Sequence, residues 1–310
     1  MIIPPHLKPG DKIRIVSPAG KVKEKYVLPA VDWLLDQGYR VELGQHVFSS
    51  HFQFAGTDQQ RLEDLQMALD DPETSAILCS RGGYGTVRII SKLNYDGLFR
   101  HPKWIVGFSD ITILHSCLNR NRMATIHGAM PRYFFDKEKL PNENLQSLIQ
   151  LLTGGRASYT IPAAKGDRSG KATGELVGGN LSIISSMQGT CCELETNGKI
   201  LFLEDIDEFL YHSDRMMLQL KLSGKLDNLA GLVLGNFTDM KDNESPFGKT
   251  IHEIVAEAVA EYNFPVCFDF PAGHNEKNLA LIFGQPWELD VTEQESTLKL
   301  LPGHTLNSEL

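Results

Sequence analysis

Long apolar runs are missing from this sequence: nothing approaches the ~20 residues that a membrane-spanning helix needs. The opening stretch, Met1-Ile2-Ile3-Pro4-Pro5-His6, has no basic region followed by an apolar one, so no secretory signal is expected. Cysteine is sparse. The five (Cys79, Cys117, Cys191, Cys192, Cys267) are odd in number, irregularly spaced and without a C-x-x-C pair, which argues against a disulfide framework or a zinc knuckle. A reduced, cytoplasmic protein is the expectation. Positive charge is in deficit, 30 Lys+Arg against 39 Asp+Glu, for a net charge of −9. Nucleic acid and anionic membranes call for clustered positive charge, so neither is expected as a partner. The sequence also lacks G-x-x-x-x-G-K-[ST], G-x-G-x-x-G and H-E-x-x-H. No cofactor and no metal ion are therefore expected, and no internal repeat is visible.

What is present is an ordinary globular composition, 42% hydrophobic and 22% charged, over 310 residues. At roughly 150 residues per domain this suggests two domains. The first half alternates short apolar strands with amphipathic helices. Strands are predicted at 12–16, 39–43, 76–79 and 104–106. Between them lie helices with apolar stripes: Val27, Val31, Leu34 and Leu35; Leu62, Leu65 and Leu69 behind a Thr57/Gln60 capping box; Val87, Ile90 and Leu93; and Ile111, Leu114 and Leu118. Repeated strand–loop–helix units imply a parallel sheet with flanking helices, whose ligands bind beyond the carboxyl ends of the strands. A helix at 145–152 closes this domain, 1–153. Residues 154–170, rich in Gly, Ala, Ser and Lys, read as an interdomain linker, and 171–310 as a C-terminal mixed α/β domain. There, strands are expected at 199–204, 232–234, 266–270, 279–283, 287–291 and 296–300. Helices are expected at 214–222 and behind the Thr250/Glu253 capping pair.

Four features of this frame carry candidate chemistry. Ser109 follows the 104–106 strand in Gly107-Phe108-Ser109-Asp110 and opens a helix, so its hydroxyl stands at the sheet edge beside a helix N-terminus. The second Gly of G-x-S-x-G is missing, and a plain helix cap is the competing reading. Arg81-Gly82-Gly83-Tyr84-Gly85 is a Gly-rich strand-to-helix loop, suited to close backbone approach and an oxyanion donor, or simply a tight turn. Glu204 ends an apolar strand, a costly place for an unpartnered carboxylate, although Glu204-Asp205-Ile206-Asp207-Glu208 also reads as a solvated loop or a cation site, without the spacing and Gly of a calcium loop. His274 lies in a Gly-preceded loop after a strand, where a general base fits, with His115 and His127 as rivals near Ser109 in sequence. Together these suggest a nucleophile, an acid and a histidine in the order Ser109, Glu204, His274.

At these residues the chain resembles the LD-carboxypeptidases (muramoyltetrapeptide carboxypeptidases) and the related microcin C immunity peptidases. The resemblance runs nearly end to end. It takes in Gly10-Asp11, Ile15-Val16-Ser17-Pro18, Arg61…Leu65, the Arg81–Gly85 loop, Gly107-Phe108-Ser109-Asp110 and His127-Gly128. It continues through Gly178-Gly179-Asn180-Leu181, Gly189-Thr190, Leu203-Glu204-Asp205 and Gly273-His274. It implies a Ser109–Glu204–His274 triad divided between the two domains, with the active site between them. Backbone N–H groups of Gly83 and Asp110 would serve as the oxyanion hole. It departs at Ala280-Leu281-Ile282-Phe283-Gly284, where family members often read Leu-Pro-[Leu/Ile]-Gly.

The implied activity is a cytoplasmic serine carboxypeptidase that releases terminal D-Ala from murein tetrapeptides in peptidoglycan recycling, with a homodimer as the implied assembly. Arg81 is one candidate for the substrate carboxylate, since an Arg binds carboxylates bidentately. The rival with the same chemistry is a microcin C-type peptidase acting on peptidyl- or aminoacyl-nucleotide amides, for which Tyr84, Phe108, Tyr133, Phe134 and Phe135 are candidate stacking partners. A non-catalytic small-molecule binding protein is the alternative of another class, and a metal-dependent amidohydrolase the weakest.

Overall fold

The structure is a computed structural model that describes residues 1–136 and 140–302. Its first half runs β1 (Lys12–Val16), α1 (Glu24–Asp36), β2 (Arg40–Leu43), α2 (Asp58–Asp70), β3 (Thr74–Cys79), α3 (Asp96–Arg100), β4 (Trp104–Gly107), α4 (Thr112–Arg120), β5 (Thr125–His127) and α5 (Glu143–Leu152). Next come β6 (Ser158–Pro162), β7 (Gly170–Asn180), α6 (Leu181–Ser186), β8 (Ile200–Ile206), α7 (Leu210–Leu222), β9 (Gly231–Thr238), α8 (Ile251–Ala258) and β10 (Val266–Cys267). Three further strands, β11 (Leu281–Phe283), β12 (Pro286–Val291) and β13 (Glu295–Leu300), follow. The expected capping boxes form on α2 (Thr57 with Gln60) and α8 (Thr250 with Glu253).

Two sheets result. The first has the order β11-β5-β4-β3-β1-β2, parallel except for β11. The second has the order β10-β9-β8-β7-β12-β13-β6, with β7 to β10 parallel and the rest antiparallel. Strand β7 serves both halves of this sheet, antiparallel to β12 along Gly170–Glu175 and parallel to β8 along 176–180.

Several expectations need correction. The stretch 154–170 contains β6, an edge strand whose half-exposed alternation gave no apolar signal; it pairs with β13. Strand β7 was masked by its glycines, which close packing requires: a Cβ on Gly178 would lie 1.9 Å from the Phe202 carbonyl oxygen. The helix expected around Val87, Ile90 and Leu93 is instead two short 3-10 turns, Thr86–Arg88 and Ile90–Lys92. Four β-branched residues in five (Thr86, Val87, Ile89, Ile90) disfavour an α-helix there. The 266–270 strand stops at Cys267, and Asp269 takes a left-handed backbone (φ 55°). Strand β11 does not join its sequence neighbours; it crosses to pair antiparallel with β5.

That crossing unites the two layers. Ile126 of β5, Phe202 of β8, Phe283 of β11 and Trp287 of β12 belong to one buried cluster. Each such side chain contributes about 1.5–3 kcal/mol on burial, so the sheets are held together by a shared core.

One buried charge has a structural task. The Lys103 ammonium, wholly buried, donates to the carbonyls of Ala68 (3.2 Å), Leu69 (2.8 Å) and Asp71 (2.6 Å), closing the C-terminal end of α2. Lys103→Met leaves these acceptors without a donor and is expected to lower unfolding free energy by about 2–3 kcal/mol in urea titration. Unchanged stability would refute that role.

Candidate active site

The parallel strands of both sheets deliver their carboxyl ends to one place. A cleft of about 810 Å³ lies there. From the first sheet it receives Lys21, Lys23 and Tyr26 after β1, Phe48 and Ser50 after β2, and Ser80 to Gly83 after β3. Phe108 and Ser109 follow β4, and Met130, Arg132 and Tyr133 follow β5. From the second come Ile206 at the end of β8 and Asp207 after it, Asp239 after β9 and His274 after β10.

Ser109 sits at the sharp turn between β4 and α4 with φ at 65°, a left-handed conformation costly for any residue with a Cβ. Its hydroxyl caps neither the 3-10 turn that it opens nor α4, so the helix-cap reading falls away. The turn is tight: a Cβ on Gly107 would lie 2.9 Å from Ile111 Cγ1. Gly82 packs directly on the serine, where an added Cβ would meet Ser109 Cβ at 2.7 Å and Oγ at 2.9 Å. On the expectation that Ser109 is the nucleophile, Gly82→Ala should cut turnover at least about 10²-fold, since displacing a reacting atom by ~1 Å costs that much. Circular dichroism should stay unchanged, and an Ala variant of parental activity would contradict this packing.

The Gly-rich loop is anchored from beneath. Asp110, 2% exposed, accepts the Thr86 N–H at 2.8 Å. Burial lifts its carboxyl above the ordinary range in spite of that bond. Arg61, also buried, donates to the Pro18 carbonyl (2.7 Å) and the Gly85 carbonyl (2.8 Å) and pairs with Asp58. Among the described residues, the backbone N–H groups of Gly83 and Asp110 donate no hydrogen bond, so both remain free for a ligand.

Glu204 is fully buried within the C-terminal part of β8, and its Oε2 lies 2.6 Å from His274 Nδ1. Gly273 makes this approach possible, since a Cβ there would stand 2.8 Å from Glu204 Cβ. Burial alone would push the His274 imidazole down; the charge and hydrogen bond of Glu204 outweigh it and leave the pKa above its ordinary value. His274 also contacts the Phe108 ring (centroids 4.9 Å apart). His274 and Ser109 line the same cleft, and no hydrogen bond joins them among the described residues. The neighbouring Asp205 turns to the other face of the strand, accepting from Asn180 Nδ2 (2.8 Å), Ile206 N (2.9 Å) and Ser182 N (2.9 Å). Burial and the Glu204 charge raise it to about 7. Asn180 N in turn donates to Thr112 Oγ1 on α4, tying the acid's strand to the serine's helix.

The rival histidines lie elsewhere. His115 is fully buried, with Nε2 2.9 Å from the Gly107 carbonyl oxygen, and burial holds it at about 4. His127 is buried among Phe108, Phe202 and Phe283, its pKa also depressed by burial. Neither lines the cleft. Arg81 does, with one guanidinium nitrogen donating to the Lys21 carbonyl (2.9 Å). Of the aromatic residues proposed for stacking, Phe108 and Tyr133 line the cleft; Phe134 is core, and Tyr84 packs on Phe54 outside it. Sequence reasoning missed Lys21, Lys23, Tyr26, Arg132, Asp207 and Asp239. Their common signal was position, in the loop or first helical turn that follows a strand's carboxyl end. Among the described residues no group of three or more His, Cys, Asp or Glu is placed to hold a metal ion, and no helix is long and apolar enough to cross a membrane.

Two family models match the chain: the LD-carboxypeptidase N-terminal domain over residues 13–128 and the LD-carboxypeptidase C-terminal domain over 173–289. The chain belongs to the LD-carboxypeptidase family. A probable murein peptide carboxypeptidase of Bacillus subtilis is 33% identical over 299 residues, 96% of this chain and 94% of the relative. The murein tetrapeptide carboxypeptidase of Pseudomonas aeruginosa is 31% identical over 282 residues, 88% of this chain and 91% of its own. The crystal structure of muramoyltetrapeptide carboxypeptidase from Oxalobacter formigenes superposes with a TM-score of 0.85 at 28% identity, covering 95% of this chain and 100% of that one. The two-sheet architecture is thus that of the LD-carboxypeptidases.

Proposed function

We propose that this LD-carboxypeptidase family member is a serine carboxypeptidase that hydrolyses the L,D peptide bond releasing terminal D-Ala from murein tetrapeptides in peptidoglycan recycling. Ser109, His274 and Glu204 are its catalytic residues. The observation that carries the assignment is the buried Glu204 Oε2–His274 Nδ1 contact of 2.6 Å, opening onto the cleft where Ser109 stands on a left-handed turn. Nδ1 donates to the carboxylate, which leaves Nε2 as the acceptor. Once substrate brings Ser109 Oγ within about 2.6–3.2 Å of Nε2, His274 takes the hydroxyl proton as Oγ attacks the scissile carbonyl carbon. The N–H groups of Gly83 and Asp110 hold the oxyanion. His274 then gives its proton to the departing amine of D-Ala, and a water molecule, deprotonated by the same imidazole, cleaves the acyl-enzyme.

The cleft's charges suit this substrate. Lys21, Lys23, Arg81 and Arg132 offer cations to the terminal carboxylate, with Arg132 held over the Tyr26 ring at 5.2 Å. Asp207 and Asp239 stand on the second sheet's side, suited to an amine of the peptide. The microcin-type alternative is favoured by the rings of Tyr26, Phe48 and Tyr133 in the cleft. The Escherichia coli microcin C7 self-immunity protein is 25% identical over 317 residues. We read the protein as cytoplasmic, in keeping with its five free cysteines, and as a homodimer, which light scattering tests. The deciding assay is D-Ala release from a murein tetrapeptide beside cleavage of an aminoacyl-nucleotide amide. Release of D-Ala supports the reading; cleavage of the amide alone overturns it.

A further inference from the structure

We propose that Asn144 and Asn278 are positioning residues that set His274 over Ser109. The inference rests on the reading of His274 as the base. The base lies on the segment that carries the chain from β10 in the second sheet to β11 in the first, so its position depends on how that crossing is held at both ends. On the second sheet's side, Asn236 donates to the Ala272 carbonyl through its backbone N–H (2.9 Å) and through Nδ2 (3.2 Å). On the serine's side the grip is a pair of buried amides. Asn144, on the first turn of α5 and 2% exposed, donates from Nδ2 to the Glu276 carbonyl (2.8 Å) and accepts the Asn278 N–H at Oδ1 (2.7 Å). Asn278, fully buried, accepts the Gly273 N–H at its own Oδ1 (2.8 Å). Ser147, one turn along α5, accepts the Ala280 N–H (3.1 Å).

The second donor bond of Asn144 closes a circuit. Nδ2 also reaches the Tyr133 carbonyl (3.2 Å); the Tyr133 ring packs on Phe108 (5.5 Å) and Phe108 packs on His274 (4.9 Å). The imidazole is therefore held from two directions that meet at Asn144: through Asn278 and Gly273 along its own backbone, and through Tyr133 and Phe108 across its ring. Phe108 precedes the nucleophile, so the same residue that ties the base loop also ties the serine's flank. Neither asparagine lines the cleft, which separates their task from substrate binding. Buried amides with backbone partners on separate segments fix distances between those segments.

The test uses Asn144→Ala, Asn144→Asp and Asn278→Ala, with Ser109→Ala alongside, in D-Ala release from murein tetrapeptide and in labelling by a fluorophosphonate. Misplacing a catalytic group by ~1 Å costs about 10²-fold. Asn144→Ala should lose about that much in kcat with KM within twofold, and labelling should slow in parallel. Asn144→Asp keeps the acceptor for Asn278 N–H but loses both donor bonds, so it should fall between parent and Ala; it also serves if the Ala variants fail to fold. Folded asparagine variants with kcat within threefold of the parent, beside an inactive Ser109→Ala, overturn the proposal alone. A KM rise at constant kcat overturns it as well. An active Ser109→Ala overturns the triad reading, and the proposal with it.

Discussion

Ser109→Ala is expected to reduce kcat for D-Ala release by about 10⁶-fold, the scale on which loss of a triad nucleophile acts. On the proposed mechanism the remaining machinery, two oxyanion donors and a binding cleft, is worth only about 10³–10⁴ over water. KM should stay within a few-fold, because Lys21, Lys23, Arg81 and Arg132 are untouched. The variant should also be as stable as the parent, since Ala has the same Cβ and meets the same left-handed strain at φ 65°. Ser109→Gly sharpens the test. Glycine adopts that conformation without penalty, so this variant should be equally inactive yet more stable by about 1 kcal/mol. Loss of activity with a gain in stability identifies a residue kept for chemistry at the expense of the fold. Steady-state kinetics and thermal unfolding on the two variants decide it. Full activity in Ser109→Ala would remove the serine from the mechanism.

Much of this site was legible in the sequence because parallel sheets translate chain order into place. A residue just after a buried strand must emerge at the sheet's carboxyl edge, so Ser109, Glu204 and His274 could each be set at an edge from apolar runs alone. The structure places Glu204 against His274 and both beside the serine's cleft. That two separate edges face each other is decided by tertiary contacts that no local pattern encodes. Strand β11 is the clearest case. Leu281-Ile282-Phe283 reads as one more strand in a terminal run, and only its pairing with β5 reveals it as the tie between sheets.

Glycine and polar residues hid the rest. Strand β7 carries Gly170, Gly174, Gly178 and Gly179, which lower strand propensity but let Phe202 and Thr112 approach the backbone. Asn144 and Asn278 gave no signal, since a buried asparagine differs from a surface one only in its partners. Lys21, Arg132 and Asp239 were similarly ordinary as letters; it is the two edges meeting that turns them into opposing walls of one cleft.

Glu204→Gln should leave the fold intact and lower kcat by about 10⁴-fold. A glutamine fits the space beside Gly273, yet it can present its amide N–H to Nδ1 and so favour the tautomer whose Nε2 carries the proton, the wrong one for a base. The pH dependence gives an independent readout with a definite sign. His274 accepts a proton only when neutral, so activity falls on the acid side as it becomes charged. With Glu204 holding its pKa above 6.5, the acid limb of kcat/KM should stand above that value in the parent. Without the Glu204 charge and hydrogen bond, burial is opposed only by the smaller pull of Asp205, and the limb should move down from its place in the parent. The same change should alter stability in one direction. A raised folded-state pKa stabilises the protein below the unfolded value and loses that contribution as pH rises through the folded value. The parent's advantage over Glu204→Gln should therefore be larger at pH 5 than at pH 8, as far as the imidazole sets it. Asp205 adds to this in the same direction: its pKa of about 7, raised by burial and then by Glu204, should drop once that charge is gone and ease ionisation near neutrality. Both terms favour the variant at the higher pH. An acid limb that does not move, or a kcat within tenfold of the parent, would mean that Glu204 neither orients nor charges the base.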